Sequence, residues 1–174
     1  RVTAGGECRI EKIKTHGYTR CSTLRQWTKE MEIDAPIERV WKLFDGSLEN
    51  MRKIMPQVVE HQPVKITEEG VGSVYRQKYK EGKRIAEYDV ETLEYLDAPK
   101  QKKLKVGFTL AGMFEITAAY ELNQIHGSKT LFRYSVTNRP LKWFAKLFLL
   151  LAGEKAVIQF VERVKRVAES ESDQ

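Results

Sequence analysis

The sequence predicts an α+β fold: a curved antiparallel sheet of about seven strands around a long C-terminal helix, with two short helices after the first strand. Three observations predict it. Residues 58–136 read as strand after strand divided by short turns. Apolar residues at helical spacing follow Asp34-Ala35-Pro36, and an apolar stripe of helical period ends the chain.

Taken in order, residues 24–33 alternate, with Leu24, Gln26, Thr28 and Glu30 on one side and Trp27, Met31 and Ile33 on the other, which is a strand. Asp34 can cap a helix and Pro36 suits its start; Ile37, Val40, Trp41 and Phe44 then recur at helical spacing. Gly46 breaks that helix. Leu48, Met51, Ile54 and Met55 make a second, which stops at Pro56. The next strands are expected over 58–67, 71–80, 84–96, 102–110, 113–125 and 130–136, divided at Glu69-Gly70, Glu81-Gly82, Asp97-Ala98-Pro99, Ala111-Gly112 and His126-Gly127. Leu104, Val106, Phe108 and Leu110 share a face, as do Phe114, Ile116, Ala118, Tyr120 and Leu122. Lys103, Lys105, Glu115 and Glu121 point the other way, so the sheet has one buried and one wet face.

A helix starting near Pro140 must cover the buried face. Its second half is amphipathic, with Val157, Phe160, Val161, Val164 and Ala168 opposite Glu154, Gln159, Glu162, Lys165 and Arg166. Its first half, residues 141–152, is apolar almost all round, and Gly153 separates the halves. In that first half Leu141, Phe144, Phe148 and Leu151 can face the sheet, while Trp143, Leu147 and Leu150 form a second stripe beside Lys146. The surplus suits an interfacial helix touching an anionic bilayer, a gate for a lipid-like ligand or a homodimer contact; burial between the sheet and the two small helices is the alternative.

A length of 174 residues suits one domain, expected over 24–170, with 1–23 as an extension of unassigned structure and 171–174 as a polar tail. With 41% hydrophobic and 31% charged residues, and only 11 Gly and 5 Pro, the chain is neither disordered nor fibrous. Lys and Arg number 30 against 24 Asp and Glu, a formal charge of +6 that permits contact with nucleic acid or anionic membrane. Lys100, Lys102, Lys103 and Lys105 form a local basic run, but Leu104 and Val106 interleave as a strand. Most of the run therefore reads as a solvated edge or outer face, and no specific nucleic-acid partner is expected. Cys8, Cys21 and His16 fall short of a zinc set, no cofactor is implied, and the low cysteine count fits the cytoplasm. Residues 1–21 lack the apolar centre of a secretory leader, and the chain begins at Arg, as a fragment does.

This order of elements, with Met31-Glu-Ile-Asp-Ala-Pro-Ile-Glu-Arg-Val-Trp41 as its opening, Gly70-Val-Gly-Ser73 as a turn and Glu91-Thr-Leu-Glu-Tyr-Leu-Asp-Ala-Pro99 as a strand and turn, resembles the START-like superfamily. This is the SRPBCC group of polyketide cyclases/dehydrases and lipid-transport proteins, whose fold is the helix-grip. The resemblance spans about residues 24–168. It implies a cavity between sheet and long helix that holds an apolar or aromatic small molecule such as a lipid, an isoprenoid quinone or a polyketide-like metabolite, without fixing which.

The inward set is aromatic with phenolic tips: Tyr75, Tyr79, Tyr88, Tyr120 and Tyr134, with Phe108, Phe114, Phe132, Phe144 and Phe148 as apolar wall. Buried tyrosines need hydrogen-bond partners, so such a lining can orient a ligand bearing a few oxygens; the alternative is that the rings only fill the core. No Ser or Cys with a matching His and acid indicates a catalytic triad. His61 sits on a strand and would serve as a lone general base if it faced the cavity, the plainer reading being a half-buried structural histidine. Glu87, Asp89 and Arg76 lie opposite the tyrosines, toward solvent. Three functions follow: binding or transport of a hydrophobic molecule, a cyclase- or aromatase-like enzyme using a tyrosine or His61, and protein interaction through the apolar helix.

Overall fold

Eight antiparallel strands form one sheet in the computed structural model, which describes residues 2–9, 22–141 and 154–170. In chain order the elements are β1 (Val2–Arg9), β2 (Ser22–Ile33), α1 (Ile37–Lys42), α2 (Leu48–Ile54), β3 (Val58–Lys65), β4 (Val74–Glu81), β5 (Arg84–Ala98), β6 (Gln101–Leu110), β7 (Phe114–Gln124), β8 (Thr130–Pro140) and α3 (Glu154–Ser170). Across the sheet the order is β1-β2-β8-β7-β6-β5-β4-β3. The strands from β3 to β8 thus run as a meander, and β2 returns to close beside β8. Seven strands are those that alternation predicts. The eighth is β1, within the extension of unassigned structure, which pairs along its length with β2 from Val2↔Lys29 to Arg9↔Ser22.

Two strand boundaries differ by three residues or more from the sequence expectation. β4 begins at Val74, not residue 71, because Thr67 to Ser73 folds into a loop of its own. In it the Thr67 hydroxyl donates to the Val71 carbonyl at 2.8 Å, and Gly70 and Gly72 take φ of +77° and +81°. β8 continues past residue 136 to Pro140, since Asn138 pairs with Ile116 and Arg139 with Glu115, and the Leu141 N–H then bonds the Met113 carbonyl. Proline is tolerated there because it ends the strand.

The core lies where α1, α2 and α3 close on the inner face. Val157, Phe160, Val161, Val164 and Ala168, the predicted stripe of α3, are all buried, the last four in one core cluster with Ile33, Val40, Ile54, Leu122 and Phe132. Polar ties hold the helix in place. The Arg163 guanidinium donates to the Ile54 carbonyl at 3.1 Å and the Lys165 ammonium to the Glu32 carbonyl at 2.9 Å. Beneath α1 the buried Thr130 hydroxyl donates to the Ala35 carbonyl at 2.8 Å. Among the described residues no helix is long and apolar enough to cross a membrane.

Candidate functional site

Beyond this core the sheet and α1–α2 enclose a cavity of about 800 Å³. Alternation places its lining. On β4 the inner positions are Tyr75, Gln77 and Tyr79; on β5 they are Ala86, Tyr88, Val90 and Thr92. At Leu93 β5 carries a bulge, two residues of β5 advancing against one of β6, and the faces exchange. The inner residues after it are Tyr95 and Asp97, whereas Leu93 turns outward over Gly107, where a Cβ would stand 2.9 Å from Leu93 Cδ1 and make the leucine tip shift.

Tyr75, Tyr79, Tyr88, Phe108, Tyr120 and Tyr134 all line the cavity. Phe132 does not. It is fully buried beneath α3, with ring centres 5.9 Å from Phe44 and 6.5 Å from Phe160, and serves the core. Phe114, opposite Pro140 at the β6–β7 end of the sheet, is also outside the lining. Phe144 and Phe148, Trp143, and with them the expected gate, membrane contact and homodimer contact at 141–152, lie outside the described residues except for Leu141, which is exposed. Arg76, Glu87 and Asp89 face solvent as expected, the Arg76 guanidinium donating to both Asp89 carboxylate oxygens at 2.9 and 3.2 Å.

The polar groups of the cavity form two clusters. In the first, His61, Gln77 and Tyr88 stand directly opposite one another on β3, β4 and β5. Gln77 is buried; its carboxamide oxygen meets His61 Nδ1 at 3.2 Å and its amide nitrogen donates to the Tyr88 hydroxyl oxygen at 2.9 Å. An amide oxygen can only accept, so His61 carries its proton on Nδ1, and Nε2 holds the lone pair. The imidazole also stacks on Tyr75, ring centres 4.7 Å apart. Burial lowers the His61 pKa against the smaller opposing effect of the Gln77 bond, which keeps the ring neutral at physiological pH. Burial likewise raises the Tyr88 hydroxyl above the ordinary phenol range, with the Gln77 donor partly opposing it.

The second cluster is Tyr120 and Tyr134, stacked at 5.2 Å and joined through their hydroxyls. Burial pushes both well above the ordinary phenol range, so both stay protonated donors. Gln77 was not among the residues singled out by sequence, although the Tyr75-Gln77-Tyr79 alternation carried the signal.

Lys102 is the exception in a basic run most of which is solvated, as expected, with Lys100 exposed. Lys103 and Lys105 do point outward, to Glu94 at 2.6 and 2.8 Å, but Lys102 shares the inner face with Leu104 and its side chain is 3% exposed. Its ammonium meets Asp97 and, at 2.9 Å, Glu38 of α1, and lies 5.8 Å over the Trp41 ring. Burial alone would lower its pKa; the two carboxylates outweigh that and raise it, so the group stays charged.

A family model described as polyketide cyclase / dehydrase and lipid transport matches residues 25–169, from β2 to the end of α3. The chain belongs to this family. β1 precedes the matched region. Solved structures share the fold at low identity. Norcoclaurine synthase from Thalictrum flavum, in complex with dopamine and hydroxybenzaldehyde, is 13% identical with a TM-score of 0.64 over 94% of this chain and 99% of that one. The Zhui aromatase/cyclase from a Streptomyces species is 15% identical, TM-score 0.65, over 84% and 94%. Major latex-like protein 151 from Panax ginseng is 17% identical, TM-score 0.61, over 87% and 99%. No curated protein matches by sequence.

Proposed function

We propose that this member of the family binds and carries an apolar small molecule bearing a few oxygens: a lipid, an isoprenoid quinone or an aromatic polyketide-like metabolite. One observation carries the reading. The cavity of about 800 Å³ has room for a molecule of tens of heavy atoms, and its wall combines apolar side chains with tyrosine hydroxyls. Among neighbours of the same fold, norcoclaurine synthase holds dopamine and hydroxybenzaldehyde, two hydroxylated aromatics.

A second reading, a cyclase-like enzyme, is favoured by the placement of His61 in the lining with Nδ1 held by Gln77, the arrangement a lone general base needs. Native mass spectrometry of protein purified from its own host, followed by organic extraction, tests the first reading. A stoichiometric apolar molecule is expected. Empty protein that also gains no thermal stability with lipids, quinones or aromatic polyketides would overturn it.

A further inference from the structure

The described lining of the cavity contains no Lys or Arg. Its titratable acids are Asp45, Glu68 and Asp97. Asp97 is paired with Lys102, Asp45 is bonded to Ser47 and Asn50, and Glu68 is exposed at the rim. A ligand carboxylate or phosphate would therefore find no cation among these side chains, and burying an unpaired charge is costly. The interior offers instead neutral hydrogen-bonding groups in fixed roles. The Tyr88 oxygen accepts from Gln77, so its hydroxyl hydrogen is left to donate; His61 Nδ1 is spent on Gln77, so Nε2 is left to accept. Both groups are set by the same buried carboxamide, which holds the Tyr88 oxygen and His61 Nδ1 one amide and two hydrogen bonds apart, with Nε2 on the other side of the imidazole.

We infer that the cavity selects an uncharged ligand carrying a hydroxyl and a carbonyl on one apolar body, the hydroxyl donating to His61 Nε2 and the carbonyl accepting from the Tyr88 hydroxyl. The inference rests on the binding reading above and narrows it from apolar molecules in general to neutral hydroxy-carbonyl compounds, setting aside fatty-acid anions and phosphorylated headgroups as occupants. Gln77 is the positioning residue for both contacts.

Three probes of nearly equal shape test it by calorimetric titration at pH 6.5: 2-hydroxyanthraquinone, anthraquinone and anthraquinone-2-carboxylate. The expected order is the hydroxy compound tightest, anthraquinone weaker by about 10-fold for one lost buried hydrogen bond, and the carboxylate weakest. His61→Phe closes the gap between the hydroxy compound and anthraquinone, which lacks the donor. Tyr88→Phe instead weakens both, since both present a carbonyl. This ranking on the unaltered protein needs no variant to fold. Equal affinity for all three, or tightest binding of the carboxylate, overturns the inference and leaves the binding reading standing. Failure of all three, together with no molecule released in the native mass spectrum, removes the binding reading and the inference with it.

Discussion

Replacing Lys102 with methionine keeps the apolar stem over Trp41 and deletes the ammonium that Asp97 and Glu38 share. Breaking a fully buried pair costs several kcal/mol, but Asp97 and Glu38 are 43% and 67% exposed and regain water. Lys102→Met is therefore expected to cost about 1–2 kcal/mol, read as a lower urea midpoint at unchanged slope. His61 offers a second check at a single residue. Its pKa is lowered in the folded protein by burial, so as pH falls the unfolded chain takes up the proton first. The stabilisation is present above the unfolded pKa of about 6.5 and is lost as pH drops through the folded value. The imidazole resonances should titrate below 6.5, and His61→Phe should lose less stability than the unaltered protein between pH 7.5 and 5. Why Lys102 and Gln77 were hard to see as inward residues in sequence is physical. A lysine within a basic run, or a glutamine between two tyrosines, carries the hydropathy of an outward residue, and only a partner across the sheet or on a helix makes its burial affordable. Asp97 and Glu38 lie 5 and 64 positions away from Lys102, and Tyr88 and His61 lie 11 and 16 from Gln77.

At the scale of elements, the α1–α2 junction shows what local sequence does reveal. Gly46, at φ +81°, turns the chain between the helices, and Ser47 caps α2 by accepting from the Asn50 N–H at 3.3 Å. Asp45 binds the same corner, accepting from the Ser47 N–H and the Asn50 side-chain amide, each at 2.8 Å. Burial alone would raise the Asp45 pKa; these bonds outweigh it and lower it. Its stabilisation is thus present above the ordinary carboxyl pKa and lost as pH falls below it. Asp45→Ala should cost about 1 kcal/mol at pH 7 and less at pH 3, measured as urea midpoints at the two values. The break at Gly46 and both helices were legible because glycine breaks and apolar spacing are local signals, whereas Asp34 does not cap α1, whose N-cap is Pro36 with no side-chain bond, and pairs with Lys129 instead. The β5 bulge was not legible. It depends on how β5 pairs with β6, and it moves Tyr95 and Asp97 inward against simple alternation. β1 was illegible for a related reason: Val2-Thr-Ala-Gly-Gly-Glu-Cys-Arg9 has adjacent glycines and no apolar alternation, and is a strand because β2 offers it an edge.

For the whole molecule, the meander, the return of β2 beside β8 and the amphipathic α3 together leave part of the inner face uncovered by core side chains, and that vacancy is the cavity. The sheet's alternation foretold Tyr75, Tyr79, Tyr88, Tyr120 and Tyr134 as tyrosines that reach it, and the β5 bulge adds Tyr95. Alternation could not foretell that Phe132 would be taken by the core, because that depends on where α3 crosses the sheet. A filled cavity must stabilise the fold, since a ligand that binds only the folded state adds free energy by mass action. At 100 times its Kd the gain is about 2.7 kcal/mol, which for a chain of this size raises Tm by roughly 5–10 °C. The control is Ala86→Trp, a half-buried lining residue on β5 outside both polar clusters, whose indole would fill part of the volume. The variant should keep the unliganded Tm within a few degrees and lose most of the ligand-induced shift in a thermal scan. A full shift in the variant would show that the ligand binds elsewhere on the protein, and the cavity would lose its place as the site.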